Sequence, residues 1–174
     1  KFEKTFSKFV GNKYSIAVCN GTAALEVAIK SLKLPKSSEI IVPARSFFSS
    51  ASSIVNTGYK PVFADVNLYT QNISIKDIKK KISNKTKAII CVHLAGLPCD
   101  MQAIKKLANK KKLKIIEDCS QAHGASINNK HVGSFGDIST WSFCNDKIIS
   151  TLGEGGMIST NKKNIYEFCK KYIN

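Results

Sequence analysis

Two groups in the second half of the sequence are spaced for chemistry. The apolar run Leu113–Ile116 ends in Glu117 and Asp118, and the apolar run Ile138–Phe143 is followed shortly by Lys147. Gly153, Gly155 and Gly156 come next. If the two runs are neighbouring strands, a carboxylate and a lysine meet at one end of a sheet, beside a tight glycine loop. Pyridoxal phosphate needs such a pair: a lysine that forms a Schiff base and an acid that holds the pyridinium proton. Strand alternation turns Glu117 to the opposite face from Asp118, so only Asp118 receives a catalytic part.

Other stretches read in two ways on their residues alone. Asn20-Gly21-Thr22-Ala23 opens a helix directly after a strand. Its free N–H groups suit a phosphate, but they also describe an ordinary helix start. Phe47 and Phe48 at the head of the next helix suit a core position or a stacking one. Asp118 also fits a helix cap or a metal ligand. Cys91, His93 and Cys99 lie near one another in sequence, and Cys119 and His123 are four apart, but neither group has zinc-site spacing and no CxxC occurs. No metal is therefore expected, and His93 and His123 read as strand-end residues near a pocket.

Seven blocks also resemble a known family. EDCSQAHGA (117–125), WSFCNDK (141–147), GEGG (153–156), NGTAAL (20–25), VPARSFFSSA (42–51), PVFADV (61–66) and HLAGLPCDM (93–101) are similar to the signature blocks of the DegT/DnrJ/StrS sugar aminotransferases, and they stand in that family's order across nearly the whole chain. These are fold-type-I enzymes that use pyridoxal 5'-phosphate. The resemblance implies that Lys147 holds the cofactor and that Asp118 bonds its pyridine nitrogen. It places Thr22, Ala23 and Ser142 on the phosphate, Phe47 rather than Phe48 on the ring face, and Gln121 near the phenolic oxygen. Some relatives carry histidine at the lysine position and dehydrate instead, so Lys147 points to transamination. The implied reaction moves an amino group from glutamate or glutamine to a keto group of a nucleotide-linked sugar, in a cytoplasmic homodimer. Relatives are roughly twice as long and add a C-terminal domain. This chain starts at Lys1 and stops at Asn174 within a helical stretch, so residues 1–174 are expected to be one cofactor-binding large domain, cut at both ends. Two rivals stand: a sugar dehydratase or amino-acid lyase on the same fold, and a basic nucleic-acid-binding module without enzyme activity.

Composition bounds these options. A chain of 174 residues with 43% hydrophobic and 22% charged content can bury a real core. No apolar run approaches the ~18–20 residues of a membrane helix, and KFEKTFSKFVG lacks a signal-peptide core. The six cysteines lie mostly in or beside apolar runs and read as reduced and buried. The net charge of +15 invites a nucleic-acid partner. Arg45 is the only arginine, however, and nucleic-acid surfaces lean on arginine for bidentate contacts. The lysines fall at helix ends and solvent faces, so no nucleic acid and no membrane is expected.

The elements that must position these groups alternate. Strands are expected at Ser15–Cys19, Ile40–Val42, Pro61–Ala64, Lys87–Val92, Leu113–Glu117, Ile138–Phe143 and Met157–Thr160. Helices are expected at Phe2–Val10, Ala23–Leu32, Ser46–Thr57, from Ser74 to Ile82, from Asp100 to Lys111, and from Lys162 onward. Ser74 and Asp77 suggest a variant capping box. The pattern predicts an α/β fold: a mostly parallel seven-stranded sheet with helices on both faces. Ligands bind such sheets at the carboxyl ends of the strands.

Overall fold

The computed structural model describes residues 1–173. The elements run α1 (Phe2–Val10), β1 (Tyr14–Val18), α2 (Gly21–Ser31), β2 (Glu39–Pro43), α3 (Ser49–Asn56), β3 (Lys60–Ala64), α4 (Ile75–Lys81) and β4 (Thr86–Val92). They continue as α5 (Met101–Lys111), β5 (Lys114–Asp118), β6 (Ser126–Ile127), β7 (Lys130–His131), β8 (Ile138–Ser142), β9 (Gly156–Thr160) and α6 (Lys163–Ile173). Seven strands form one sheet in the order β1-β9-β8-β5-β4-β2-β3. Every pairing among β3, β2, β4, β5 and β8 is parallel. β9 alone runs backwards, antiparallel to both β8 and β1. The cause is the connection: no helix separates β8 from β9, and without a crossover the chain can only return antiparallel.

Alternation along the strands builds two cores. Ile40, Val42, Ile90 and Ile116 face one side, against Ala24, Ala28 and Ile29 of α2, Ile54 of α3 and Ile165 of α6. Ile41, Ile89, Cys91 and Ile115 face the other, against Ile78 of α4 and Ile104, Leu107 and Ala108 of α5. Fully buried side chains such as Ile29, Ile40 and Ile90 each contribute about 1.5–3 kcal/mol. A third cluster joins Phe6 and Val10 of α1 to Trp141, Phe143 and Met157. A one-residue slip of any central strand would exchange the two cores, so register at the functional end is well determined.

Four local expectations are corrected. The helix expected from Ser46 begins at Ser49, because tighter i→i+3 bonds from Ser50 N to Phe47 O and Ala51 N to Phe48 O precede it. The capping box is not closed: Ser74 accepts from Asp77 N, but the Asp77 carboxylate turns to Asp65 N at 2.8 Å. An additional hairpin, β6–β7, turns on Asn128 and Asn129, both at positive φ; asparagine tolerates that region. Among the cysteines, Cys19 is exposed and Cys144 half-buried, so the expected burial fails at these two. No helix among the described residues is long and apolar enough to cross a membrane.

Candidate active site

The carboxyl ends of β5 and β8 are neighbours in the sheet, and the N-terminus of α2 arrives beside them. Together they enclose a cleft of about 340 Å³. Thr22, Phe47, Asp118, Gln121, Ser142 and Lys147 all line it. Ala23 does not, since its N–H is held by the Asn20 side chain at 2.8 Å, which caps α2. The Ala24 N–H bonds the Asn20 carbonyl at 3.1 Å. Of the N–H groups in the first turn of α2, those of Gly21 and Thr22 precede these two bonds and face the cleft end of the helix.

Two glycines set how closely α2 approaches. A Cβ on Gly21 would stand 2.9 Å from the Cβ of Ser142, and one on Gly156 would collide with the Asn20 carbonyl. The start of α2 is thereby seated against the ends of β8 and β9. Between those strands, residues 143–155 form the lysine loop. Its neck is closed by Phe143 N to Gly155 O at 2.8 Å and Thr151 N to Phe143 O at 3.1 Å. Lys147 Nζ donates to Asp146 at 2.9 Å. That bond is the main reason the Asp146 carboxyl is held below the usual carboxylate range. Cys144 donates to Glu154, and the bond raises its thiol.

Asp118 is buried and firmly oriented. Its Oδ1 accepts from Ser120 N at 3.1 Å and Ser120 Oγ at 2.7 Å. Its Oδ2 accepts from Ser50 Oγ at 3.2 Å. The Ser120 contact is legible as a local Asp-x-Ser turn; the Ser50 contact spans 68 residues and has no sequence signal. Gln121 Oε1 accepts from Ala95 N at 2.7 Å, which leaves its amide N–H₂ to point elsewhere.

Beneath the cleft, His123 packs beside Trp141 and Phe143, with ring centroids at 5.4 and 5.5 Å. Burial first, and then the Lys147 charge, lower its pKa to about 4. The Ser142 backbone opposes this shift, though neither ring nitrogen makes a full hydrogen bond. His123 is therefore a neutral group at physiological pH. His93 is fully buried directly after Val92 of the cleft wall, and does not itself line the cleft.

His93, Glu117 and Cys119 do lie within 4.8 Å of one another, a grouping compatible with a metal. Their lone pairs are already engaged. The Glu117 carboxylate accepts from Gly133 N at 2.9 Å, Phe135 N at 2.8 Å, Gly136 N at 2.6 Å and His93 Nε2 at 3.1 Å. His93 Nδ1 accepts from Cys99 N at 3.0 Å. Burial and then the Glu117 charge raise the Cys119 thiol well above its ordinary range, so it stays protonated. Glu117, braced by His93, forms a clasp that ties residues 133–136 to the end of β5.

With this geometry in view, the comparisons become decisive. The DegT/DnrJ/EryC1/StrS aminotransferase family matches residues 1–174. The chain belongs to that family. It is 47% identical over 169 residues to GDP-perosamine synthase of Escherichia coli O157:H7, covering 97% of this chain and 46% of that protein. An aminotransferase structure from Psychrobacter cryohalolentis superposes with a TM-score of 0.96 at 49% identity, over 98% of this chain and 43% of that one. Another member, GDP-4-keto-6-deoxymannose-3-dehydratase with a trapped PLP-glutamate geminal diamine, gives 0.92 at 34% identity, over 97% and 45%. The chain thus spans less than half the length of these relatives. These relatives share the fold described above.

Proposed function

We propose that residues 1–174 are the cofactor-binding large domain of a pyridoxal 5'-phosphate-dependent aminotransferase. It takes an amino group from glutamate or glutamine and delivers it to a keto group of a nucleotide-linked sugar. One observation carries this reading: Lys147, Asp118 and the open N–H groups of α2 line a single cleft. Gly21 supplies the test of fit, since a Cβ there would fill the approach between α2 and Ser142. Gly21 N–H, Thr22 N–H and the Ser142 hydroxyl would hold the phosphate. Ala23 would contribute through the helix dipole rather than its own N–H. Asp118 would accept the ring N–H, Phe47 would cover a ring face, and Gln121 would turn its free amide toward the ring oxygen.

When bound, pyridoxal phosphate supplies an electron-accepting ring that makes the donor's Cα–H acidic. Lys147 would hold the cofactor, and its amine, when free, would take the proton from the donor carbon and return one to the sugar carbon. Asp146, 2.9 Å from Nζ, would steady that amine while it is free.

The working form is a homodimer in the cytoplasm. Phe47, Phe48, Ile148 and Leu152, on the two loops that bound the cleft, are 71%, 79%, 68% and 100% exposed. Apolar exposure of this kind marks an interaction surface. Arg45 is the only arginine, so groups that clamp a diphosphate or a donor carboxylate come from the second copy and from further sequence. The six free cysteines suit a reducing compartment.

A dehydratase is the second reading, because one shares this fold at 34% identity. Lys147 favours transamination: a lysine can hold the cofactor covalently between turnovers, and a histidine cannot. The test uses the intact protein with pyridoxal phosphate, borohydride and peptide mapping, followed by glutamate and GDP-4-keto-6-deoxymannose. The expected results are a trapped adduct on Lys147, its loss in a folded Lys147→Ala variant, and an amino-sugar product by mass spectrometry. No adduct, or an adduct on another lysine, overturns the cofactor assignment. Loss of water without gain of nitrogen moves the protein to the dehydratases.

A further inference from the structure

The hydroxyl chain behind Asp118 has a direction. Ser46 Oγ lies 2.6 Å from Ser50 Oγ, and Ser50 Oγ lies 3.2 Å from Asp118 Oδ2. An ionised carboxylate only accepts, so the single Ser50 proton points at Oδ2. Ser46 must then donate to Ser50. The order is Ser46 O–H to Ser50 O–H to Asp118, and each donor strengthens the next. Ser50 is 1% exposed, whereas Ser46 lines the cleft.

Lone-pair counting assigns the two carboxylate oxygens different tasks. Oδ1 already accepts two donors, both from Ser120. Oδ2 accepts one, from Ser50. Each oxygen has two lone pairs, so the open acceptor position is on Oδ2. It is the same atom that the serine chain reaches.

We infer that Ser50, backed by Ser46, is a positioning residue that fixes Oδ2 as the atom offered to the cofactor's ring nitrogen and sets how readily it gives up negative charge. This rests on the cofactor reading above. With Ser50 present, one Oδ2 lone pair is occupied and the carboxyl plane cannot swing. Without it, Oδ2 becomes more basic and draws the shared proton away from the ring nitrogen. A less cationic ring repels the proton on the lysine–cofactor nitrogen less, so that proton is retained to higher pH.

The experiment compares wild type, Ser50→Ala, Ser46→Ala and the double variant of the intact protein. It reads pyridoxal phosphate affinity and the pH midpoint of the bound cofactor's visible absorbance. Ser50→Ala is expected to weaken affinity about tenfold, the scale of one hydrogen bond to a charged group, and to raise the midpoint. Ser46→Ala moves both readouts the same way by less. The double variant matches Ser50→Ala, because Ser46 acts only through Ser50. Additive effects, or variants with wild-type affinity and midpoint, overturn the inference while leaving the cofactor reading intact. Should Ser50→Ala not fold, Ser46→Ala decides alone: a raised midpoint supports the inference and an unmoved one overturns it. A wild-type protein with no borohydride-trappable adduct overturns both.

Discussion

Glu117→Gln removes one charge and almost no volume, so its effect isolates the clasp. The carboxylate takes four donors: Phe135 N and Gly136 N on Oε1, Gly133 N and His93 Nε2 on Oε2. A glutamine with its oxygen at the Oε1 position keeps the first pair. Its N–H₂ then faces two further donors. His93 can relieve one clash by presenting a bare Nε2, but its Nδ1–H then opposes Cys99 N–H, which now donates to it at 3.0 Å. The net result is two donor–donor clashes in place of two hydrogen bonds, at ~1–3 kcal/mol each. Charge assistance is lost on the remaining bonds as well. The expected destabilisation is therefore about 3–5 kcal/mol, a large part of a typical domain's ~5–15 kcal/mol. Urea titration of the intact protein measures it. A loss below about 1 kcal/mol would refute the four-donor account, and an unchanged value with bound metal would reinstate the metal grouping.

Three further outcomes are expected. Asp118→Asn retains the Ser120 bonds on Oδ1 and some cofactor, but it cannot hold a ring-nitrogen proton; steady-state turnover should fall at least about 10²-fold, and near-normal turnover would remove Asp118 from the site. Gly21→Ala places a Cβ 2.9 Å from Ser142 Cβ, so cofactor affinity should drop while the far-ultraviolet spectrum stays, as titration and circular dichroism will show. His123 has a pKa lowered in the fold to about 4 from 6.5; the unfolded chain therefore takes its proton first, and stability should decline as pH falls from about 6.5 toward 4. His123→Phe should flatten that part of the urea-midpoint profile, and an unchanged slope would assign the dependence to another group.

The strands were legible because β2, β4 and β5 carry apolar runs bounded by polar ends, where pattern and burial agree, whereas β8 buries Ser139, Thr140 and Ser142 beside Ile138 and Trp141. Asp118 and Lys147 could be paired from sequence because both sit just past such ends. The reversal of β9 was not written locally, since GMIST reads the same in either direction and only the missing crossover decides it. Ser50 illustrates the limit more sharply. It is one serine in SSASS, and what singles it out is a helix phase that aims it at a carboxylate 68 residues away. Glu117 was read correctly as facing away from the cleft, but the three backbone donors it gathers belong to a loop whose path no periodicity describes. Phe47 and Phe48 looked like helix residues because nothing in their types reveals the tighter turn that holds them off the helix.

The contacts at Gly21 and Gly156 make the N-terminus of α2 and the roots of the lysine loop one block of backbone. Ser142 touches α2 at one point and Asn20 touches β9 at another, with no flexible side chain between. The span from the proposed phosphate donors to the loop that carries Lys147 is then a gauge set at folding. Such a gauge selects by length: a ligand that reaches only one end forfeits the other, because the block cannot contract to meet it. Phosphate alone, or the ring without its phosphate, should therefore bind far more weakly than their joined form. The ordering that a floppy site would undergo on each encounter has already taken place in the folded chain.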